Sequence, residues 1–150
     1  MSAGYYRVDI TDKITVLALD SMFWMTGNDP SYQLDEGEEE MQWFETQLAT
    51  GGDRKFIITC HEYAGTRFKA SQLWLPKWND RYFAALEKYY ENVIIEVVGH
   101  DHYGDLRYHE LPSDPTKNFH NVLVSPGVST IFNNNPGVAS MEIDEEKFVA

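Results

Sequence analysis

Three histidines at the ends of two apolar runs are the residues whose type and spacing could do chemistry. Gly99-His100-Asp101-His102 follows Val93-Ile94-Ile95-Glu96-Val97-Val98, a run that reads as a buried strand. Histidines two apart at a strand's end can point to the same side. Gly99, just before them, lets the backbone turn sharply. A second strand-like run, Lys55-Phe56-Ile57-Ile58-Thr59-Cys60, is followed by His61. Imidazole is a common ligand for zinc and related metals. Two buried strands that deliver histidines to one rim of a sheet predict a metal site, with metal-assisted hydrolysis as its chemistry. Three histidines can hold one zinc. A second metal with a carboxylate bridge needs more ligands than these supply.

The elements that must position them follow from pattern. Tyr5 to Ile10 and Ile14 to Leu19 read as strands, separated by a turn at Thr11-Asp12-Lys13. Thr26 to Gln33, with Gly27-Asn28-Asp29-Pro30, reads as a loop. Asp35 to Ala49 reads as a helix: acidic residues crowd its first turns, where the helix dipole favours them. Met41, Phe44 and Leu48 give it one apolar face, and Gly51-Gly52 stops it. His61 to Lys77 is a long loop, of a length that often carries function. Trp78 to Tyr90 reads as a second helix, with Tyr82, Ala85, Leu86 and Tyr89 on one face. After the paired histidines, Asp105 to Glu110, Asn121 to Ser125 and Val138 to Ile143 are strand-like. Ser125-Pro126-Gly127 and Asn133-Asn134-Asn135-Pro136-Gly137 punctuate the gaps. Strand, helix, strand in this order predicts crossover units of an α/β protein.

Composition removes several function classes. One chain of 150 residues is a single domain's worth, able to bury roughly two-thirds of its unfolded surface. Aromatic residues make up 14%, which excludes a disordered chain. A net charge of -12 disfavours binding to a nucleic-acid polymer. Cys60 is the single cysteine, so no intrachain disulfide forms. No stretch has the apolar length of a transmembrane segment, and Met1-Ser2-Ala3-Gly4 lacks the regions of a signal peptide. Several residues carry a plain reading beside a functional one. Cys60 next to His61 reads as a small buried residue rather than a nucleophile. His109 and His120 read as ordinary surface or half-buried histidines. The acidic residues from Asp35 to Glu45 read as a solvated helix start, with a cation site as the alternative. Met22-Phe23-Trp24-Met25 and Trp74 read as core or lid packing, with contact to a lipid or a base as the alternative.

Taken together, these segments resemble the C-terminal half of calcineurin-like metallophosphoesterases, and within them the acid sphingomyelinase-like phosphodiesterases. Gly4-Tyr5-Tyr6 resembles the opening of that half, and Ile14–Asp20 the strand after it. Gln42-Trp43-Phe44 with Leu48 is similar to the family's Gln-Trp-Leu helix. Ile57-Ile58-Thr59-Cys60-His61 with Gly65 resembles its His-Ile-Pro-Pro-Gly segment. Arg81-Tyr82-Phe83 and Tyr90-Glu91-Asn92 resemble the helix and turn before the metal-binding strand. Gly99-His100-Asp101-His102 fits Gly-His-x-His. Ser125 to Thr130 and Asn135-Pro136-Gly137 look like the closing strands. One departure concerns the loop after His61, where Tyr63 and Ala64 replace two prolines that would rigidify it. Glu62 adds a carboxylate there, open to a second role behind the ligands or to plain solvation.

The resemblance implies residues 1–150 as one partial domain: α/β, half of a β-sandwich flanked by helices. It implies a site of two divalent metals, usually zinc, with His61 and His100 on one and His102 on the other. It implies hydrolysis of a phosphodiester, either a small molecule such as a nucleotide or a sphingomyelin-type lipid headgroup. The family is often secreted or lysosomal. Its Asp-x-His motif, bridging Asp and Asn-His pair belong to the N-terminal half. Here there is no Asp-x-His, and Asn28-Asp29, Tyr108-His109 and Asn118-Phe119-His120 do not supply the pair. No catalytic acid is identified in this half. The expectation is therefore a phosphodiesterase completed by a missing N-terminal half, prone to self-association through an uncovered sheet face. The other expectation is a non-catalytic remnant that serves as a binding module.

Overall fold

The computed structural model describes residues 4–28, 35–67, 71–144 and 147. Part of the 26–33 loop, including Asp29 and Pro30, lies outside them. Six strands form one sheet: β1 (Tyr6–Asp9), β2 (Ile14–Ala18), β3 (Lys55–Cys60), β4 (Val93–Val98), β5 (Asp105–Leu111) and β6 (Asp114–Val124). Two helices, α1 (Asp35–Thr50) and α2 (Pro76–Lys88), join β2 to β3 and β3 to β4. The order is β1-β2-β3-β4-β6-β5. The four inner strands are parallel, and β1 and β5 run antiparallel at the edges. This is the expected mixed α/β sheet flanked by helices.

Both crossovers step in the same direction along the sheet, so a single handedness puts both helices on one face. The registers Leu17↔Ile58, Ile58↔Glu96 and Glu96↔Val122 line up the residues of that face. Leu17, Ile58 and Val122 join Met41, Phe44 and Leu48 of α1 and Trp78, Tyr82 and Leu86 of α2 in the buried core. The opposite row, Val16↔Ile57↔Ile95 and Thr59↔Val97↔Leu123, belongs to no such cluster. At its margins Val8 is 47% and Leu106 68% exposed. One sheet face is therefore covered by helices; on the other Ile57, Val97 and Leu123 are half-buried, Ile95 is buried, and the margins are exposed.

In the apolar turn after β2, Trp24 is core, whereas Met22 is exposed and Phe23 and Met25 are half-buried. Ser21–Phe23 form a short 3-10 turn that drops Trp24 into the interior, 4.7 Å from the Trp74 ring. Trp24 Nε1 donates to the Gly37 carbonyl at 3.0 Å. The acidic residues of α1 divide their work. Glu38 and Glu45 grip the Arg81 guanidinium at 2.6 and 2.7 Å, tying α1 to α2. Asp35 and Glu36 are exposed, as a solvated helix start requires.

Several boundaries differ from expectation. The second helix starts at Pro76 rather than Trp78, because proline suits the first turn of a helix. Its end is at Lys88, and Tyr90–Asn92 form a 3-10 turn. β6 starts at Asp114, seven residues before Asn121, because it pairs with β5 along nearly its full length. Residues 138–143 join no strand of the sheet, and Val138 is 95% exposed.

Glu40 lies fully buried on α1, where its Oε1 accepts the Asp20 amide at 2.7 Å and its Oε2 has no partner. Burial pushes its pKa from 4.5 up to about 8; the Asp20 amide opposes this, and the Asp20 carboxylate adds to it. The folded state therefore keeps a proton that the unfolded chain releases above 4.5. Its contribution to stability falls as pH rises from 4.5 through about 8. Glu40→Gln keeps the acceptor and removes the titration. Thermal melts of both proteins from pH 5 to 8 should show the variant's advantage growing with pH. A constant difference contradicts the assignment.

Candidate metal centre

The parallel ladder of β3 and β4 ends at Cys60↔Val98, so the next residues of both strands emerge on the same rim. Open α/β sheets bind ligands at this rim, beyond the carboxyl ends of their strands. The Gly99 amide donates to the His61 carbonyl at 3.1 Å, continuing the pairing one step past the sheet. A side chain on Gly99 would lie 3.2 Å from His61 Nδ1. Gly99 therefore supplies space rather than a turn. The turn belongs to His100 and His102, whose φ angles of 71° and 61° are left-handed.

His61 and His100 come together. Their rings meet edge to face with centroids 5.3 Å apart. His100 Nδ1 stands 3.2 Å from Glu62 Oε1. A carboxylate that receives one ring N–H fixes the tautomer and leaves Nε2 to face a metal. Glu62 is itself fixed. Its amide donates to Ser21 Oγ at 3.0 Å, and its carbonyl accepts Trp74 Nε1 at 3.0 Å. It is only 4% exposed, so solvation does not explain it.

His102 turns to the loop after β6. Its carbonyl accepts the Gly127 amide at 2.9 Å, and its ring meets Phe132 at 5.0 Å. A Cβ on Gly127 would fall 2.7 Å from His102 Cβ, so only glycine fits there. The buried Nδ1 of His102 has no hydrogen-bond partner. Between the two histidines, Asp101 is buried and accepts a hydrogen bond from the Tyr63 hydroxyl. Burial and this carboxylate push the Tyr63 phenol up to about 12, so it remains a donor.

The donor chemistry fits part of a divalent-metal site: two adjacent imidazoles, one braced by a carboxylate, and a third with an orphaned nitrogen. Among the described residues no group of three His, Cys, Asp or Glu side chains is arranged to hold a metal ion. His61 and His100 form a pair, and His102 stands apart from it.

Sequence reading missed a second ionisable group under the sheet. His120 is not a surface or half-buried histidine. It is 2% exposed, and its Nε2 lies 2.6 Å from Glu96 Oε2. The only signal was Glu96 in the middle of an apolar strand. Cys60 joins this layer: its Sγ lies 3.2 Å from Glu96 Oε1 and 3.1 Å from the Glu62 carbonyl, the two acceptors within reach of its single S–H. Burial and the Glu96 charge push the thiol pKa well up, which suits a structural thiol and not a nucleophile. His109, stacked 5.9 Å from His120, has its pKa lowered by burial.

Neither a scan of protein-family models nor a search of curated proteins finds a match to this chain. Solved structures do match. A dimetal phosphatase from Danio rerio aligns with a TM-score of 0.62 at 12% identity, over 83% of this chain and 49% of that chain. A Staphylococcus aureus protein described as a 5'-nucleotidase aligns over 96% of this chain and 32% of that one, at 16% identity and a TM-score of 0.43. The second alignment carries no argument. The chain thus spans about half the length of the dimetal phosphatase it matches.

Removing one member of a buried hydrogen-bonded pair leaves the other without a partner, at a cost of about 1–3 kcal/mol. His120→Phe should lose stability of that order in urea unfolding, and Glu96→Leu with His120→Phe should regain most of it. Equal losses in the single and double variants contradict the pairing. The sheet, with its helices on one face, has the same fold as about half of the Danio rerio dimetal phosphatase.

Proposed function

We propose that this chain provides half of a two-metal site for hydrolysis of phosphodiesters. The observation that carries the reading is the His61–His100 contact at the C-terminal rim, with Glu62 behind His100. The fold shared with a dimetal phosphatase supports it. In this reading His61 and His100 face one metal and His102 the other, with zinc preferred by imidazole donors. A metal held there supplies Lewis acidity and a hydroxide near neutral pH. The chain's own residues orient the donors: Glu62 holds the His100 ring, Gly99 clears room for His61, and Gly127 seats His102.

The remaining ligands, and the acid that protonates the leaving alcohol, come in this reading from residues beyond this set. The sheet face opposite the helices, half-buried at Ile57, Val97 and Leu123 and exposed at Val8 and Leu106, is where such a partner layer, or a second copy of the chain, would pack in this reading. Small phosphodiesters and lipid headgroups are both compatible with a rim site. Among the described residues no helix is long and apolar enough to cross a membrane. The sphingomyelinase-like branch stays a proposal that rests on sequence motifs.

His100→Ala should lower metal-dependent turnover of bis(4-nitrophenyl) phosphate at least 100-fold in the assembly that is active. His109→Ala, away from the rim, should stay within about twofold. Unchanged turnover in His100→Ala removes the ligand assignment.

A further inference from the structure

Asp101 separates two of the three rim histidines, and it is buried where both of them are half-buried. It is 5% exposed, and Tyr63, which donates to it, is 1% exposed. Arg67 Nη2 lies 2.6 Å from its Oδ1, and Arg107 Nη2 lies 3.7 Å from its Oδ2. The Arg107 guanidinium also covers the Tyr63 ring at 4.6 Å and donates to the Thr66 carbonyl at 3.1 Å. Tyr63 belongs to the loop that carries His61, and Asp101 to the loop that carries His100 and His102. The contact therefore joins the two histidine-bearing loops.

Strain gives the contact its task. His100 and His102 both hold left-handed φ angles, which non-glycine residues adopt only when their surroundings impose them. The residue between them is the anchored one. We propose that Tyr63 and Asp101 are positioning residues whose hydrogen bond, backed by Arg67 and Arg107, locks the two loops together and holds the rim histidines in their strained backbone. Prolines would stiffen the first loop by fixing φ. Tyr63 stiffens it from outside, by tying its side chain to the second loop. The consequence for metal binding rests on the reading above; the conformational lock does not.

The test uses the full chain and two conservative variants, Tyr63→Phe and Asp101→Asn. Positive φ brings the amide proton close to its own Hα, so His100 and His102 should each show a strong intraresidue NOE. Both variants should lose it while the resonances of the helix-covered core stay in place. Zinc affinity, measured by competition with a chelator dye, should weaken at least tenfold. NOEs retained in both variants overturn the proposal. NOEs lost with zinc affinity within twofold of wild type overturn the positioning role. If the wild-type chain binds no zinc, the metal reading fails on its own, and loss of the NOEs still supports the lock. Independently of any variant, the Tyr63 hydroxyl proton should exchange slowly and show an NOE to Asp101; a freely exchanging hydroxyl overturns the proposal.

Discussion

The parallel pairing of β3 with β4 is the constraint on which the rest depends. Its last pair, Cys60↔Val98, places His61 and Gly99 side by side. A one-residue slip would send every following side chain to the other face. Register is held from below by burial of Phe56, Ile58 and Val98 against the helices. At its middle stands Glu96, an expensive residue to bury without a partner. His120 on the neighbouring strand and the Cys60 thiol provide that partner. A shifted β4 would take Glu96 away from both, so the pair also selects the register that makes the rim.

The rim has two tiers. Above the sheet are the imidazoles, exposed or half-buried. Beneath them are two buried carboxylates, Glu62 against His100 and Asp101 against Tyr63, with the half-buried Gly127 against His102. Each histidine is positioned by a different element. His61 follows β3, His100 leans on the β3 loop through Glu62, and His102 leans on the loop after β6. Geometry of this kind is set by the fold before any metal arrives, which lowers the ordering cost of binding.

Much of this was legible in the chain. The strand-end histidines, the α1 face of Met41, Phe44 and Leu48, and the crossover order all follow from spacing, because periodicity reports burial directly. What was not legible depends on contacts distant in sequence. His120 gave no local sign of being buried, since its partner is 24 residues away. Gly99 suggested a turn, but the turn falls on two histidines whose φ is imposed by Asp101. Residues 138–143 carry a strand-like composition without a ladder to join. The motif resemblance predicts an uncovered sheet face; the register assigns Ile57, Ile95, Val97 and Leu123 to the side away from the helices, where Ile95 is buried and the others half-buried.

The most direct measurement is the metal content of the purified chain after equilibration with zinc, by elemental analysis, beside a His61→Ala/His100→Ala variant. The account predicts zinc in the wild-type chain at close to one per chain, lost from the double variant while both remain folded. No zinc in the wild type, or equal zinc in both, would contradict the claim that these two histidines form a metal-binding pair.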